Sequence, residues 1–478
     1  MLPRRGYRFI GDFESKEQTQ SLVVLPLENL SRDPEQEYFA DGLTEALITN
    51  LAKIGALRVV SRTTAMKYKG FRSKSVPEIA QELGVNRIVE GTVMRSGDRV
   101  RISVQLIDTS TDTHLWAETY ERDLRDVLAL QAEVARAIAN EIRVKVTPEE
   151  QARLHPTRRV DAEAYELYLK GRSHWNRRNL EGLVKGAEYL QWAIDRDPTY
   201  AAAHAGLADT ASRLGFWTDA PPEEACARGK AAALRAIEMD STLAEAFAGL
   251  GYAHLHYDFD IHSAEEAIER AIELDPHNAI AVQERGLCFA ARGRAEDALA
   301  QLDLAGLLEP LNVHFQWNRC MFLYFSRQYD EAIALGHTTL ELDPQSAPVR
   351  EAIGLTLVQT QKYDDAVHAL EEAVQISHRT PFFLGQLGYV YGAAGREAEA
   401  LKVICELKEL SKHRHVSPYW AGMIYAALAK KDEAFLWLDR ALQEHAPWIA
   451  YLKAAPWFDN LRSDSRFYTL LRRMNIPI

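Results

Sequence analysis

A chain of 478 residues is too long for one ordinary core, so two or more domains are expected. With 47% hydrophobic residues, 26% charged residues and a formal net charge of −12, it reads as a soluble globular protein, not one coated for nucleic acid. Four cysteines (Cys226, Cys288, Cys320, Cys405) lie far apart with no CxxC, which argues against a disulfide framework or a zinc ribbon. No apolar stretch approaches the roughly 18 residues that span a bilayer, so the expectation is a cytoplasmic chain without a membrane segment.

The first residues, "MLPRRGYRFIGDF", carry charge with no apolar run behind it, which is not the pattern of a signal peptide. "LPRRGYRFIG" resembles the last hairpin of an OmpR/PhoB-type winged-helix DNA-binding domain, as found in ToxR/CadC-like regulators. The matching positions are Arg4, Arg5, Gly6, Tyr7, Arg8 and Phe9. The resemblance implies that residues 1–12 are the remnant of a wing hairpin, with Arg4, Arg5 and Arg8 as candidates for DNA contact. Tyr7 and Phe9, two apart on a strand, would share one face. A winged helix also needs a recognition helix, so DNA binding is expected only if one precedes Met1. The alternative is a basic tail of no special meaning.

Residues 21–148 read as an α/β domain with a mixed sheet. "LVVLP" is a short apolar run stopped by proline, as a buried strand is. A helix follows between Asp33-Pro34 and Gly55, with Phe39, Leu43, Leu47 and Leu51 on one face. Next come a strand, "LRVVSRT", and a short helix, "VPEIAQELG". Three alternating strands run from Asn86 to Asp123 through turn signals at Ser96-Gly97-Asp98 and Ser110-Thr111-Asp112. A helix, "LALQAEVARAIANEIRVKV", closes the domain. "LPLENLSRDPEQEYFADGLTEALI", "ELGVNRIVEGTV" and "LIDTSTDTHLWAETYERDL" resemble the TolB amino-terminal-like (FlgO-like) domain. That family implies no agreed active site and hence no catalytic residues here.

From residue 160 to 446 the chain repeats itself. Pro276, Pro310 and Pro344 follow one another at steps of 34 residues, as do Ala298, Ala332, Ala366, Ala400 and Ala434. Gly286, Gly354, Gly388 and Gly422 keep the same phase, with Cys320 standing where a further glycine would fall. A period of 34 suits two helices and two tight turns, with small residues letting the backbones approach and proline ending the second helix. The pattern resembles the tetratricopeptide (TPR) repeat, carried in the unit 381–414 by Leu387-Gly388, Tyr391, Ala400 and Ile404. The expectation is an all-α TPR solenoid of about eight helix-turn-helix units, with residues 447–478 as polar capping helices. The unit beginning near Ala248 carries one extra residue.

In the TPR register the first helices line a groove that includes Gln283, Trp317, Asn318, Tyr324, Gln386, Tyr389, Tyr419, Trp420 and Met423. Aromatics beside neutral polar groups suit a protein or peptide ligand, although the same side chains can simply pack between units. No phosphate loop, GxGxxG, HExxH or GxSxG motif occurs, so no catalytic residue and no cofactor is expected. "HLHYDFDIH" has metal-ligand residue types (His254, His256, Asp258, Asp260, His262) but falls in a turn where exposed polar residues are normal, so no metal is assigned. The expectation is a non-enzymatic regulatory protein, part of a transcriptional regulator whose winged-helix domain is truncated here; the sequence leaves the oligomeric state open, with a homodimer on DNA natural for that reading. The alternatives are a stand-alone TPR adaptor or the regulatory module of a nucleotide-cyclase-type signalling protein.

Overall fold

The computed structural model describes residues 20–31, 33–70, 74–144, 146–153, 159–177, 180–218, 220–309 and 312–476. Arg4, Arg5, Arg8 and the whole of segment 1–12 lie outside these residues.

Strand β1 (Gln20–Val24) buries Leu22, Val23 and Val24 in succession, which places it at the centre of a sheet covered on both faces there. It runs parallel to β3 (Leu57–Val59) on one side and β4 (Arg87–Ser96) on the other. β4 continues antiparallel into β5 (Arg99–Asp108) and β6 (Thr113–Asp123), while the short β2 (Glu28–Asn29) also pairs with β4. The sheet order is β3-β1-β4-β5-β6, so the domain is a mixed sheet. Helix α1 (Glu37–Ala52) turns Phe39, Leu43, Leu47 and Leu51 into the core, one turn apart. Asp33 starts the preceding turn by accepting from the Glu35 amide. Helices α2 (Arg62–Ala65) and α3 (Val76–Leu83) follow β3, and Ser75 with Glu78 forms a capping box on α3. Helix α4 (Val127–Glu141) packs on α1, and α5 (Pro148–Arg153) leads out of the domain.

Eight helix pairs follow among the described residues. They are α6 (Ala162–Trp175) with α7 (Leu180–Arg196), α8 (Ala201–Trp217) with α9 (Pro222–Met239), and α10 (Ala244–Ala253) with α11 (Ile261–Leu274). Then come α12 (Ala279–Ala291) with α13 (Ala295–Leu308), α14 (Val313–Phe325) with α15 (Tyr329–Leu342), and α16 (Ala347–Gln359) with α17 (Tyr363–Ile376). The last are α18 (Pro381–Ala393) with α19 (Glu397–Leu410) and α20 (Pro418–Ala427) with α21 (Lys431–Gln443). The 34-residue alanines and glycines meet inside two of these pairs, α12–α13 and α16–α17. A Cβ on Gly286 would stand 3.2 Å from the Ala298 carbonyl oxygen, and one on Gly354 3.1 Å from that of Ala366. The chain is thus an α/β domain followed by an all-α solenoid of TPR-like pairs.

The extra residue noted near Ala248 has a structural outcome. Instead of a loose turn, α10 runs into a single π-type turn, His254–Asp258, ended by Phe259 in the left-handed region. One inserted residue is what such a turn accommodates without breaking the helix.

The C-terminal segment differs from the capping helices expected over 447–478. Only α22 (Ser465–Arg473) is an α-helix of that kind, tied to α21 through Arg466 and Asp432. Pro447–Tyr451 and Pro456–Leu461 form short 3-10 turns whose Trp448, Tyr451, Trp457 and Phe458 are buried. The physical reason lies in the segment's aromatic weight, which an exposed cap cannot accommodate, and in prolines that interrupt helix propagation.

Two large cores result. One joins the α/β sheet to the first repeats without a break, and Gln131 of α4 donates to the Tyr165 hydroxyl of α6 at 2.6 Å across that junction. The other runs from the π-turn to the C-terminus and includes the buried aromatics of residues 447–461.

Candidate functional site

First helices of TPR-like pairs share one side of the array, and their buried aromatics converge on the C-terminal segment. Trp448 stands 4.7 Å from Phe216 of α8, 6.5 Å from Trp317 of α14, 5.5 Å from Phe382 of α18 and 6.2 Å from Trp420 of α20, ring centre to ring centre. Trp457 stacks on Tyr324 at 5.6 Å and lies 6.4 Å from Tyr389. Its indole N–H donates to the Tyr419 hydroxyl at 2.9 Å. The segment is therefore seated on the inner face of the array, spanning helices from α8 to α20.

This placement corrects the expectation of an open groove. Gln283, Trp317, Asn318, Tyr324, Gln386, Tyr389, Tyr419, Trp420 and Met423 are all buried. The structure brings Trp317 and Trp420 together around Trp448, and Tyr324, Tyr389 and Tyr419 around Trp457. Gln283, Trp317 and Asn318 line a small cavity of about 20 Å³ with Arg213, His256, Trp448 and Tyr451. That is room for about one water molecule. The groove is closed by this chain's own residues.

Several residues of this face carry no signal in the sequence. His256, expected in an exposed turn, is buried because the π-turn rotates it inward. Its Nδ1 is 3.0 Å from the Tyr252 carbonyl and so must carry the proton, leaving Nε2 to accept from the Tyr451 hydroxyl at 2.8 Å. Burial holds its pKa down at about 3, so it stays neutral in that role. His254 instead pairs with Asp258, which also receives Lys230, and His262 faces solvent beside Glu266. The three histidines do not converge, and among the described residues no group of three or more ligand types could hold a metal. Cys226, Cys288 and Cys320 are buried and Cys405 is exposed.

Charge is buried here too. Arg213 donates through Nε to Asp209 at 2.8 Å and through Nη2 to Glu284 at 2.7 Å, with its guanidinium over the Tyr252 ring. Glu351 accepts from the Trp317 indole N–H at 2.9 Å and is fully enclosed, which pushes its pKa up to about 8. The contacts with Trp317 and Gln386 favour the carboxylate, but burial outweighs them. The folded chain thus keeps a proton that an exposed glutamate releases at about 4.3. It binds more protons than the unfolded chain between those values, so this group's stabilisation is full at low pH and lost as pH rises through about 8. Glu351→Gln is expected to match the parent's melting at about pH 5 and to melt several degrees above it at about pH 8.5. Parallel pH profiles would show that the site does not titrate.

A second arrangement fixes the α/β domain on the array. Glu45 of α1 receives Arg62 at 2.9 Å and Arg172 of α6 at 2.9 Å, and Arg172 also reaches Glu245 of α10. Burial alone would raise the Glu45 carboxyl, but the two guanidiniums outweigh it and hold the pKa at about 2. Thr63 donates to Glu309 at 3.1 Å nearby. These residues line an interdomain cleft of about 250 Å³.

With the geometry described, similarities to known proteins can be placed on it. Residues 17–137 match the family model of the HilA/YgeH-like transcriptional regulator, second domain. Residues 260–310 match the tetratricopeptide repeat model. A curated relative, the "Putative adenylate cyclase 3" of Rhizobium meliloti (strain 1021), is 42% identical over 205 residues. That stretch is 42% of this chain and only 35% of the relative's own length. Among solved structures, a tetratricopeptide repeat protein from Parabacteroides merdae is similar over 66% of this chain and 100% of its own, at 14% identity and a TM-score of 0.36. PilF of Pseudomonas aeruginosa is similar over 46% and 95%, at 19% identity and a TM-score of 0.34. Both matched families point to regulation and protein–protein contact. Among the described residues no helix is long and apolar enough to cross a membrane.

Proposed function

We propose that this chain is the sensing and partner-binding part of a transcriptional regulator that acts through protein–protein contact, without catalysis of its own. The observation that carries the reading is the HilA/YgeH-like match over residues 17–137, a regulator's domain set directly before a TPR-like array. The resemblances to TolB-like domains and to ToxR/CadC-like regulators belong to the same proposal. DNA would be engaged only through a winged helix ahead of Met1, to which Arg4, Arg5 and Arg8 would contribute, and two copies would assemble on it. The chain would work in the cytoplasm. A protein or peptide ligand would reach the inner-face residues only by displacing residues 446–461.

A second reading, the regulatory module of a nucleotide cyclase, is favoured by the 42% identity to the putative adenylate cyclase. Purifying the native polypeptide from its own cells separates the two. The regulator reading expects protection of specific DNA from nuclease and no conversion of ATP to cyclic AMP. Cyclic AMP formation by that polypeptide, without DNA protection, would replace it with the second reading.

A further inference from the structure

Strand β6 closes one side of the sheet and has a neighbour only in β5. It is 11 residues long, "THLWAETYERD", with no proline, glycine or lysine to discourage a further strand. Its one irregularity lies opposite Leu106 and Ile107, so residues 116–123 pair with β5 in unbroken register. Just beyond that run the Leu124 amide donates to the Asp98 carbonyl at 2.7 Å. Antiparallel bonding alternates, so Arg122, Tyr120 and Glu118 turn their amides and carbonyls to β5, while Asp123, Glu121, Thr119 and Ala117 turn theirs outward. Among the described residues no other backbone group bonds to that outer row, and the Glu121 carbonyl accepts from the Arg122 guanidinium at 2.9 Å. Side chains alternate as well. Tyr120 belongs to the core, and Glu118 and Arg122, two residues away on either side, share its face. There Glu118 accepts from the Tyr120 hydroxyl, and Arg122 pairs with Glu133 of α4 at 2.9 Å. Both Glu118 and Arg122 are exposed, and a carboxylate or a guanidinium can take a second partner beside its first.

We propose that β6 of a second copy of this chain pairs antiparallel with β6 about a two-fold axis at Tyr120, joining two α/β domains in one sheet. That register sets Glu118 opposite the partner's Arg122 and Arg122 opposite the partner's Glu118. It also sets Thr119 opposite the partner's Glu121 and Ala117 opposite the partner's Asp123, so the outward amides and carbonyls of both copies meet in hydrogen-bonded pairs. No like charges face each other. Axes at Glu118, Glu121 or Arg122 would each oppose like charges, and one at Thr119 would set no opposite charges face to face. This self-complementarity favours a second copy over a foreign strand. The inference rests on the regulator reading for an assembly of two copies and gives that assembly a surface. The paired strands are short, so association in the micromolar range is expected.

The test is sedimentation equilibrium of the full chain across the micromolar range, without DNA or nucleotide. Its failure therefore tells against this interface, whereas the regulator reading stands or falls on DNA protection. The parent is expected to show a monomer–dimer equilibrium. Glu118→Arg and Arg122→Glu each set like charges opposite one another, twice per dimer, and each is expected to weaken self-association about ten-fold or more. An equimolar mixture of the two variants sets every one of these charges opposite its complement, so a heterodimer of near-parental affinity is expected. A substitution that merely harmed the fold would not be rescued by mixing. A parent that stays monomeric throughout, dimers indifferent to both substitutions, or a mixture no tighter than its components overturns the proposal. The first of these outcomes would leave β6 to a strand of a different protein.

Discussion

Trp448→Ala is expected to destabilise the C-terminal half of the array by about 3–5 kcal/mol, the range for emptying a buried large aromatic site. Trp448 is 5% exposed, and its ring meets aromatic partners on α8, α14, α18 and α20 as well as Trp457. Truncation leaves a void bordered by four helices that belong to different repeats, and these cannot all collapse into it together. Its indole nitrogen has no hydrogen-bond partner, so the loss is one of packing alone. Trp448→Phe should accordingly recover most of the stability. Urea unfolding of the two variants checks the magnitude, and hydrogen exchange should place the loosening between α10 and α22 and spare the sheet. Parental stability in the alanine variant would mean that the segment is not seated on the inner face.

The second large effect is expected at Arg213. Arg213→Met removes the only cation bonded to Asp209 and Glu284 among the described residues and leaves two buried carboxylates behind. Breaking a buried pair in this way costs about 3–5 kcal/mol. Even with the arginine in place, burial pushes the Glu284 carboxyl up to about 7. Without it Glu284 holds its proton to still higher pH in the folded chain, so the variant's stability falls as pH rises. The loss should therefore be smaller at about pH 5.5 than at about pH 8. Adding Asp209→Asn and Glu284→Gln to Arg213→Met should restore much of it at the higher pH. Equal loss at both values would show that the carboxylates do not govern the effect. Thermal melts of the three proteins decide it.

Much of the architecture could be read from residue patterns. The 34-residue step of Ala298, Ala332, Ala366, Ala400 and Ala434 sets the repeat, and at Ala298 and Ala366 it marks a close backbone approach to Gly286 and Gly354 that tolerates only small residues. The run Leu22-Val23-Val24 announces a central strand, and Phe39, Leu43, Leu47 and Leu51 a helix packed on one side. The site was far less legible. Periodicity places Trp317 or Tyr389 on a helix face but carries no information about what covers that face. The answer lies in residues 446–461, which obey no repeat and meet helices up to about 230 positions away, at Phe216. The extra residue near Ala248 was visible, yet its effect on His256 depends on where the chain absorbs it. Asp209, Arg213 and Glu284 look like ordinary surface charges until superhelical stacking brings them together.

The seated C-terminal segment also has a mechanical meaning. An open superhelix of repeats behaves as a spring, changing pitch as small rotations add up along it. Here Trp448 and Trp457 act as an axle gripped by helices from α8 to α20, so the repeats cannot twist past one another without tearing that grip. Strain arriving at the far end would therefore be transmitted almost undamped, as through a rod. It would reach the Glu45–Arg172–Glu245 clamp, where the rod is bolted to the α/β domain.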